Sequence, residues 1–308
     1  MTYLIGVDLG GTFIKTALVS REGKLVHKVE IPSEGERGPD GVIINIIRSV
    51  KSVVKEKGVD LKKVKAIGIG SPGPMDTKNG IVRKAVNLPG WVNIPLRDRI
   101  QSAFGIPANL ENDANAAAYA EYWKGAGQNA CLMIAYTLGT GVGGGIIIEG
   151  KLIRGTNDCA GELGHMTIVP DGDPCACGNR GCLESYASAN SLVRRAMAKI
   201  KSGAQTILRQ WIDEGKPLTS KLIDEARLAG DSFSRDAMIE AGTYLGLGMS
   251  AVVSALNPDI IVVGGGMMKA GEVLLEPARV EVKRRVFAEH FAKLKILPAR
   301  LGNDAGVI

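Results

Sequence analysis

Tyr3-Leu-Ile-Gly-Val-Asp-Leu-Gly-Gly-Thr12, followed at once by the apolar run from Ile14 to Ser20, is the stretch on which the fold turns. Residues 3–9 read as a buried strand, rich in β-branched and leucine side chains and closed by a glycine pair. The gap before Ile14 is too short for a helix, so the second run pairs back as a β-hairpin. A Walker A loop and a dinucleotide-type strand-to-helix turn are therefore excluded, since each needs a helix after its glycines. Gly10 and Gly11 carry no Cβ to hold a phosphate away from the backbone N–H groups, and Thr12 adds a hydroxyl. Asp8 stands just ahead of the turn, placed to hold Mg²⁺ or its waters. An ordinary tight turn with an incidental aspartate would look the same in isolation.

The second half of the chain repeats the pattern. Ala130 to Thr137 is an apolar strand, Leu138-Gly-Thr-Gly-Val-Gly-Gly-Gly145 a glycine turn with a threonine, and Ile146 to Glu149 a returning strand. Two hairpins of one design, one per domain, can clamp a polyphosphate from both sides. The first set of nucleotide contacts is then Asp8, Gly10, Gly11, Thr12 and Lys15, and the second Thr137, Gly139, Thr140 and Gly141. A third glycine turn, Gly264-Gly265-Gly266, closes the buried strand Asp259 to Val263 ahead of a helix, and suits the flat face of a base and its ribose.

Composition narrows the class. The 308 residues have room for two domains, and 45% hydrophobic content with 5% aromatics reads as an α/β protein. The forty glycines cluster in short turns, a pattern of backbone-lined ligand loops and not of low complexity. The net charge of +6 can signal nucleic acid. Here the basic residues are spread among acids, as in Lys51 to Lys65 and Lys283 to Arg285, on solvated helix faces. No nucleic-acid partner is expected. No apolar run reaches the roughly 18 residues of a membrane span, and the N-terminus enters a strand without the basic leader of a signal peptide. The expectation is a cytoplasmic protein with no membrane partner.

Glu162-Leu-Gly-His165, nine residues, Cys175-Ala-Cys177, four residues, Cys182-Leu-Glu184 holds three of the five cysteines and one of the three histidines. Three thiolates and an imidazole, His165, Cys175, Cys177 and Cys182, are the donor set of a closed tetrahedral zinc site. Gly178 and Gly181 let the backbone fold back around an ion. Disulfides fit poorly, because the cysteine count is odd and no secretory signal precedes the chain. Glu162 and Glu184 flank the ligands and are not needed by zinc, so the metal is expected to shape a polar pocket.

Between these motifs, residues 40–57 have helical periodicity, Val64 to Gly70 is a buried strand, and Ser71-Pro-Gly73-Pro74 is a rigid loop at that strand's carboxyl end, a usual ligand position. Val86-Asn87-Leu-Pro-Gly-Trp91 is a turn with one amide side chain, and Leu96 to Phe104 a helix. The strand Pro107 to Glu111 runs into Asn112-Asp113-Ala-Asn115 and an alanine run. Asn or Asp is the preferred cap there, so capping alone could explain both residues. Residues 187–254 read as helices, with Asp236 to Leu256 a long one whose Gly242, Gly246 and Gly248 allow close packing. The strand Lys295 to Leu301 and the turn Gly302 to Ala305 close the chain.

Taken together these motifs resemble the ROK family of sugar kinases, within the actin, Hsp70 and hexokinase superfamily, over essentially the whole chain. Asp8-Leu-Gly-Gly-Thr12 and Leu138-Gly-Thr-Gly141 look like the two phosphate loops, Gly264 to Gly266 like the adenosine turn, and the 162–184 stretch like the zinc and sugar signature. Ser71 to Pro74 with Asn87 to Trp91 is most similar to the family's bacterial glucokinases. The chain departs from the pattern in ending at Ile308, where family members continue into a longer C-terminal helix. The resemblance implies an α/β, two-domain actin-like ATPase (ribonuclease H-like) fold with a cleft and a structural zinc loop. It implies domains over 1–113 and 114–298, with about 299–308 packing back on the first. It also implies ATP, Mg²⁺ and structural Zn²⁺ as cofactors, and a homodimer or homotetramer.

The expected reaction is transfer of the γ-phosphoryl group of ATP to the 6-hydroxyl of glucose, with Asp113 as base. Asn112, Glu162, His165 and Glu184, with Gly73 and Asn87 as further candidates, would pair with the ring hydroxyls. His165 could bind zinc through one ring nitrogen and a hydroxyl through the other. Kinase action on mannose, N-acetylglucosamine or N-acetylmannosamine is the nearest alternative. A sugar-sensing regulator of the same family is the alternative from another class.

Overall fold

The computed structural model describes residues 2–85 and 87–308. Met1 and Val86, the latter at the head of the expected 86–91 turn, lie outside the described residues. The chain forms two compact units, Met1–Gln128 with Leu152–Gly161 and Leu301–Ile308, and Asn129–Lys151 with Glu162–Arg300.

Unit 1 is built on the strands β1 (Tyr3–Leu9), β2 (Phe13–Ser20) and β3 (Leu25–Pro32), the helix α1 (Gly38–Lys57) and the strand β4 (Val64–Ser71). A small antiparallel sheet of β5 (Met75–Asp76), β6 (Ile81–Lys84) and β7 (Val92–Ile94) follows. Then come α2 (Leu96–Phe104), β8 (Ala108–Asn112) and α3 (Asp113–Lys124). The main sheet has the order β3-β2-β1-β4-β8. β1 pairs antiparallel with β2, from Tyr3 with Ser20 to Leu9 with Ile14, and parallel with β4; β4 pairs parallel with β8. Ile5, Val7 and Leu9 alternate into a core that α1 covers with Val42, Ile46, Val50 and Val53 at helical spacing. Gly58 ends α1 in the left-handed region, its N–H returned to Val54 and Lys55 carbonyls.

Unit 2 repeats the arrangement. Its strands and helices in chain order are β9 (Leu132–Leu138), β10 (Val142–Ile148), β11 (Lys151–Leu152), α4 (Glu184–Ala187), α5 (Ala189–Lys201) and α6 (Leu208–Asp213). They continue with α7 (Ser220–Leu228), α8 (Ser232–Leu256), β12 (Ile260–Gly264), α9 (Glu272–Arg285), α10 (Ala288–Lys293) and β13 (Lys295–Pro298). The sheet order β11-β10-β9-β12-β13 has the same sense as in unit 1: an antiparallel hairpin on one side of the lead strand and two parallel strands on the other. The recurrence read from the two glycine turns is thus a recurrence of topology.

Three departures from the sequence reading have physical causes. The units divide at Gln128/Asn129 and not at 113/114, because α3 packs on β4 and on the C-terminal 3-10 turn Gly302–Val307, both of unit 1. The strand expected to reach Leu301 ends at Pro298: the Ala299 N–H makes one more bond, to the Val263 carbonyl at 2.9 Å, and Leu301 instead donates its N–H to Glu121 Oε1 at 2.7 Å. β3 and the β5–β7 sheet, absent from the sequence reading, are short or have alternate residues exposed, so no strong apolar pattern marks them.

α8 starts earlier than Asp236, capped by Asp231, whose carboxylate accepts the Ser234 N–H at 2.9 Å. Among the described residues it is the one helix long and apolar enough to cross a bilayer, and half of its apolar window is buried in the protein. Its glycines make a close crossing with α9: a Cβ at Gly242 would strike the Leu274 carbonyl, and one at Gly246 the Ala278 carbonyl. Gly242→Val should therefore push α9 away and destabilise unit 2 by about 1–3 kcal/mol. Thermal unfolding measures this, and an unchanged Tm would refute the close crossing.

Candidate functional site

In unit 1 the parallel register collects the expected residues along the carboxyl edge of one sheet. Asp8 lies beside Gly70, Gly70 beside Glu111, and Ser71 beside Asn112. A Cβ at Gly70 would sit 3.6 Å from the Asp113 Cα, so the start of α3 lies directly against this edge. Burial pushes the Asp8 carboxyl above the usual carboxylate range; Lys15, its cross-strand partner, pulls it down in part, and Glu30 pushes it up. A carboxylate so placed is stabilised by a cation beside it.

The glycine turn ahead of β2 is closed by the Gly10 N–H on the Phe13 carbonyl at 3.0 Å. Ser33, which the sequence reading passed over, braces it from below. Its Oγ donates to the Gly10 carbonyl at 2.7 Å and its N–H to the Thr12 carbonyl at 2.9 Å. Ser33 is fully buried, and its own carbonyl accepts from Asn45 Nδ2 at 3.2 Å. No motif marks a serine one strand away, so only the fold could find it. Asn87 is exposed and touches the same turn: a Cβ at Gly11 would lie 3.1 Å from the Asn87 Cβ. Gly73 lies in the loop after β4, close to the Lys84 carbonyl.

Asn112 ends β8 and caps α3. Its Oδ1 accepts the N–H groups of Ala114 at 2.9 Å and Asn115 at 3.1 Å. Asp113 Oδ1 accepts the Ala114 N–H as well, at 2.8 Å, which fixes the direction of the carboxylate. The cap and the neighbouring acid therefore share the first turn of the helix, and the capping role belongs to Asn112.

In unit 2 the turn Gly139–Gly141 is closed by the Gly139 N–H on the Gly141 carbonyl at 2.9 Å, with the Ala189 N–H on the Gly139 carbonyl. Thr137, on β9, is paired with Gly264 of β12, so the Gly264–Gly266 turn lies at the same sheet edge. Thr140 and Gly265 to Gly266 are exposed there. Glu184, expected to face a sugar, is also tied to this hairpin: its Oε2 accepts the Val142 N–H at 2.9 Å, and a Cβ at Gly141 would overlap its carboxylate.

His165, Cys175, Cys177 and Cys182 converge, with one ligand atom from each all within 4.8 Å of one another. His165 Nδ1 is 3.6 Å from Cys175 Sγ, and the sulfurs of Cys177 and Cys182 are 3.7 Å apart. Tetrahedral zinc with bonds of about 2.3 Å to sulfur and 2.0–2.1 Å to nitrogen requires edges of about 3.8 and 3.5 Å. The donor set and its spacing therefore fit zinc. A disulfide needs sulfurs about 2.05 Å apart, which excludes one between Cys177 and Cys182. Gly178 makes the knuckle possible with φ of +94°, its N–H on the Cys175 carbonyl. Burial pushes the Cys182 thiol up to about 12, whereas the Asn179 backbone N–H pulls Cys177 down. A bound dication deprotonates such thiols outright. His165 Nε2 points to the other side, 3.9 Å from Glu162 Oε2.

Comparison with known proteins bears on these arrangements. The family model described as ROK family matches residues 4–308. A glucokinase of Halalkalibacterium halodurans is 38% identical over 307 residues, covering 99% of this chain and 93% of that protein. A xylose repressor of Caldicellulosiruptor bescii is 32% identical, covering 99% of this chain and 76% of its own. The crystal structure of a ROK family glucokinase from Streptomyces griseus in complex with glucose and AMPPNP superposes with a TM-score of 0.86 at 36% identity. It covers 99% of this chain and 96% of that one.

Metal analysis of the purified protein should give one zinc per chain, and a strong chelator should release it with Cys177 and Cys182 becoming reactive to thiol reagents. Equal thiol reactivity before and after chelation would remove the cluster as a metal site.

Proposed function

The chain belongs to the ROK family, and on that premise we propose that it transfers the γ-phosphoryl group of ATP to the 6-hydroxyl of glucose. The likeness of the whole chain to a glucokinase solved with glucose and AMPPNP carries this reading. The chemistry of the residues agrees with it. Phosphoryl transfer depends on positioning and charge neutralisation more than on covalent catalysis. The turns at Gly10–Thr12 and Gly139–Gly141 supply backbone N–H groups for phosphates, and Gly264–Gly266 an open backbone for the nucleoside. Mg²⁺, when bound near the partly buried Asp8 carboxylate, would neutralise phosphate charge.

Asp113 takes the proton of the attacking hydroxyl; a carboxylate suffices because that proton leaves late. The cap bonds leave definite groups for the sugar. Asn112 has Oδ1 on the helix, so its Nδ2 is the donor it offers. Glu184 has Oε2 on Val142, so its Oε1 is the acceptor it offers. Glu162 and His165 Nε2 add an acceptor and a donor in unit 2, and Gly73 and Asn87 are further candidate contacts in unit 1. Zinc would hold the 162–184 segment in shape and does not act as the Lewis acid of the reaction.

The likeness to a xylose repressor supports a second reading, a sugar-binding regulator without turnover. A coupled assay with ATP over glucose, mannose, N-acetylglucosamine and N-acetylmannosamine separates the readings. Glucose should give the highest kcat/KM; turnover of another sugar alone reassigns the substrate, and sugar binding without any turnover favours the regulator. Asp113→Asn should lower kcat by about 10²–10⁴-fold, the range for general base catalysis, with glucose still bound. Wild-type kcat in that variant would remove Asp113 as the base. Ser33→Ala leaves the partly buried Gly10 carbonyl without its partner, a loss of about 1–3 kcal/mol. The KM for ATP should rise about tenfold, near the lower end of that range, with the glucose KM unchanged. A change confined to glucose would refute the brace.

A further inference from the structure

We propose that Arg154 is a positioning residue for Asp113, acting through Glu111; the inference rests on the kinase reading above. Leu152–Gly161 is a strap: it belongs to unit 1, although the chain on both sides of it belongs to unit 2. Two clasps hold it there. Asp158, with φ of +56°, accepts the Thr77 N–H at 2.8 Å and the Thr77 hydroxyl at 3.1 Å. Arg154 places two nitrogens on one oxygen of Glu111, Nε at 2.8 Å and Nη2 at 2.7 Å from Oε2.

The other oxygen of Glu111 works on the helix start. Oε1 accepts the Asn112 N–H at 3.0 Å and Asn115 Nδ2 at 3.1 Å. Asn112 in turn caps α3 and brackets Asp113 on the chain, while Asn115 is buried beneath it at 3% exposure. A continuous set of bonds therefore runs from the strap through one carboxylate to Asn112 and Asn115, which stand on either side of the base in the first turn of α3.

The pair is too open to matter much for stability: the Arg154 side chain is 45% exposed, and such ion pairs contribute little in water. Its effect lies in where the first turn of α3 sits. Without the guanidinium, the Glu111 carboxylate turns towards water and releases Asn112 and Asn115. Misplacement of a base by a fraction of an ångström lowers turnover without unfolding the chain.

The test is a short variant series on the full chain. Arg154→Met should lower kcat about tenfold, as a small misplacement of the base would, while Tm and the KM for ATP stay near their starting values. Arg154→Lys keeps the charge but not the fork and should recover only part. Adding Glu111→Gln to Arg154→Met should recover most of the lost kcat, because glutamine Oε1 still accepts both bonds and strands no charge. Amide hydrogen exchange at residues 112–115 should quicken in Arg154→Met and return towards normal in the double variant. Turnover within about twofold of the parent in Arg154→Met, no recovery in the double variant, or unchanged exchange would each overturn the proposal. A parent protein that phosphorylates no sugar would sink the kinase reading instead, and the exchange experiment still decides whether Arg154 orders the start of α3.

Discussion

The structure depends on how one lead strand in each unit is paired. β1 and β9 are each bonded antiparallel to the strand that follows and parallel to a strand brought in from further along the chain. The antiparallel side makes a hairpin, whose turn must bend within a few residues. The parallel side makes strand ends coincide, so that each parallel strand delivers its following loop to the same edge. In unit 1 that edge receives the Gly10–Thr12 turn, the Ser71–Pro74 loop and the Asn112–Asp113 cap; in unit 2 it receives the Gly139–Gly141 and Gly264–Gly266 turns. Residues far apart in sequence meet because backbone register leaves them no other place.

A second constraint acts on a segment with no regular structure of its own. Residues 162–184 hold little beyond a 3-10 turn and two isolated bridges. Leu163 and Leu183 anchor its two ends in the core of unit 2, and between them His165, Cys175, Cys177 and Cys182 form a ligand set on which a metal ion would add a further restraint. Glu184 then links the ordered segment to the hairpin through the Val142 N–H. The carboxylate is thereby held by a backbone group and not by a flexible neighbour.

Around each functional group stands a supporting residue that carries no motif. Ser33 holds the carbonyls of the first turn, Asn45 holds Ser33, and Glu111 holds Asn112 and Asn115 around Asp113. All act by hydrogen bonds to backbone or amide groups that are buried or partly buried. Such residues look like ordinary polar positions in a sequence. Serine and glutamate are common on strand ends, and nothing in the spacing of Ser33 from Gly10, or of Arg154 from Glu111, marks the contact.

The sequence by itself determined what depends on near neighbours along the chain. Alternation and glycine placement gave the two hairpins, a cap at Asn112 or Asp113 followed from polar residues before an alanine run, and ligand spacing gave the cluster of His165 with three cysteines. Each is a local property, set by dihedral freedom, hydrogen bonding over a few residues or the reach of a short loop. Only the tertiary structure decided the pairing of β12 with β9, the membership of α3 and the 152–161 strap in unit 1, the engagement of Glu184 with Val142, and the brace at Ser33. These join residues separated by tens of positions, whose contact depends on sheet register and helix packing summed over the whole core, and no local pattern carries that sum.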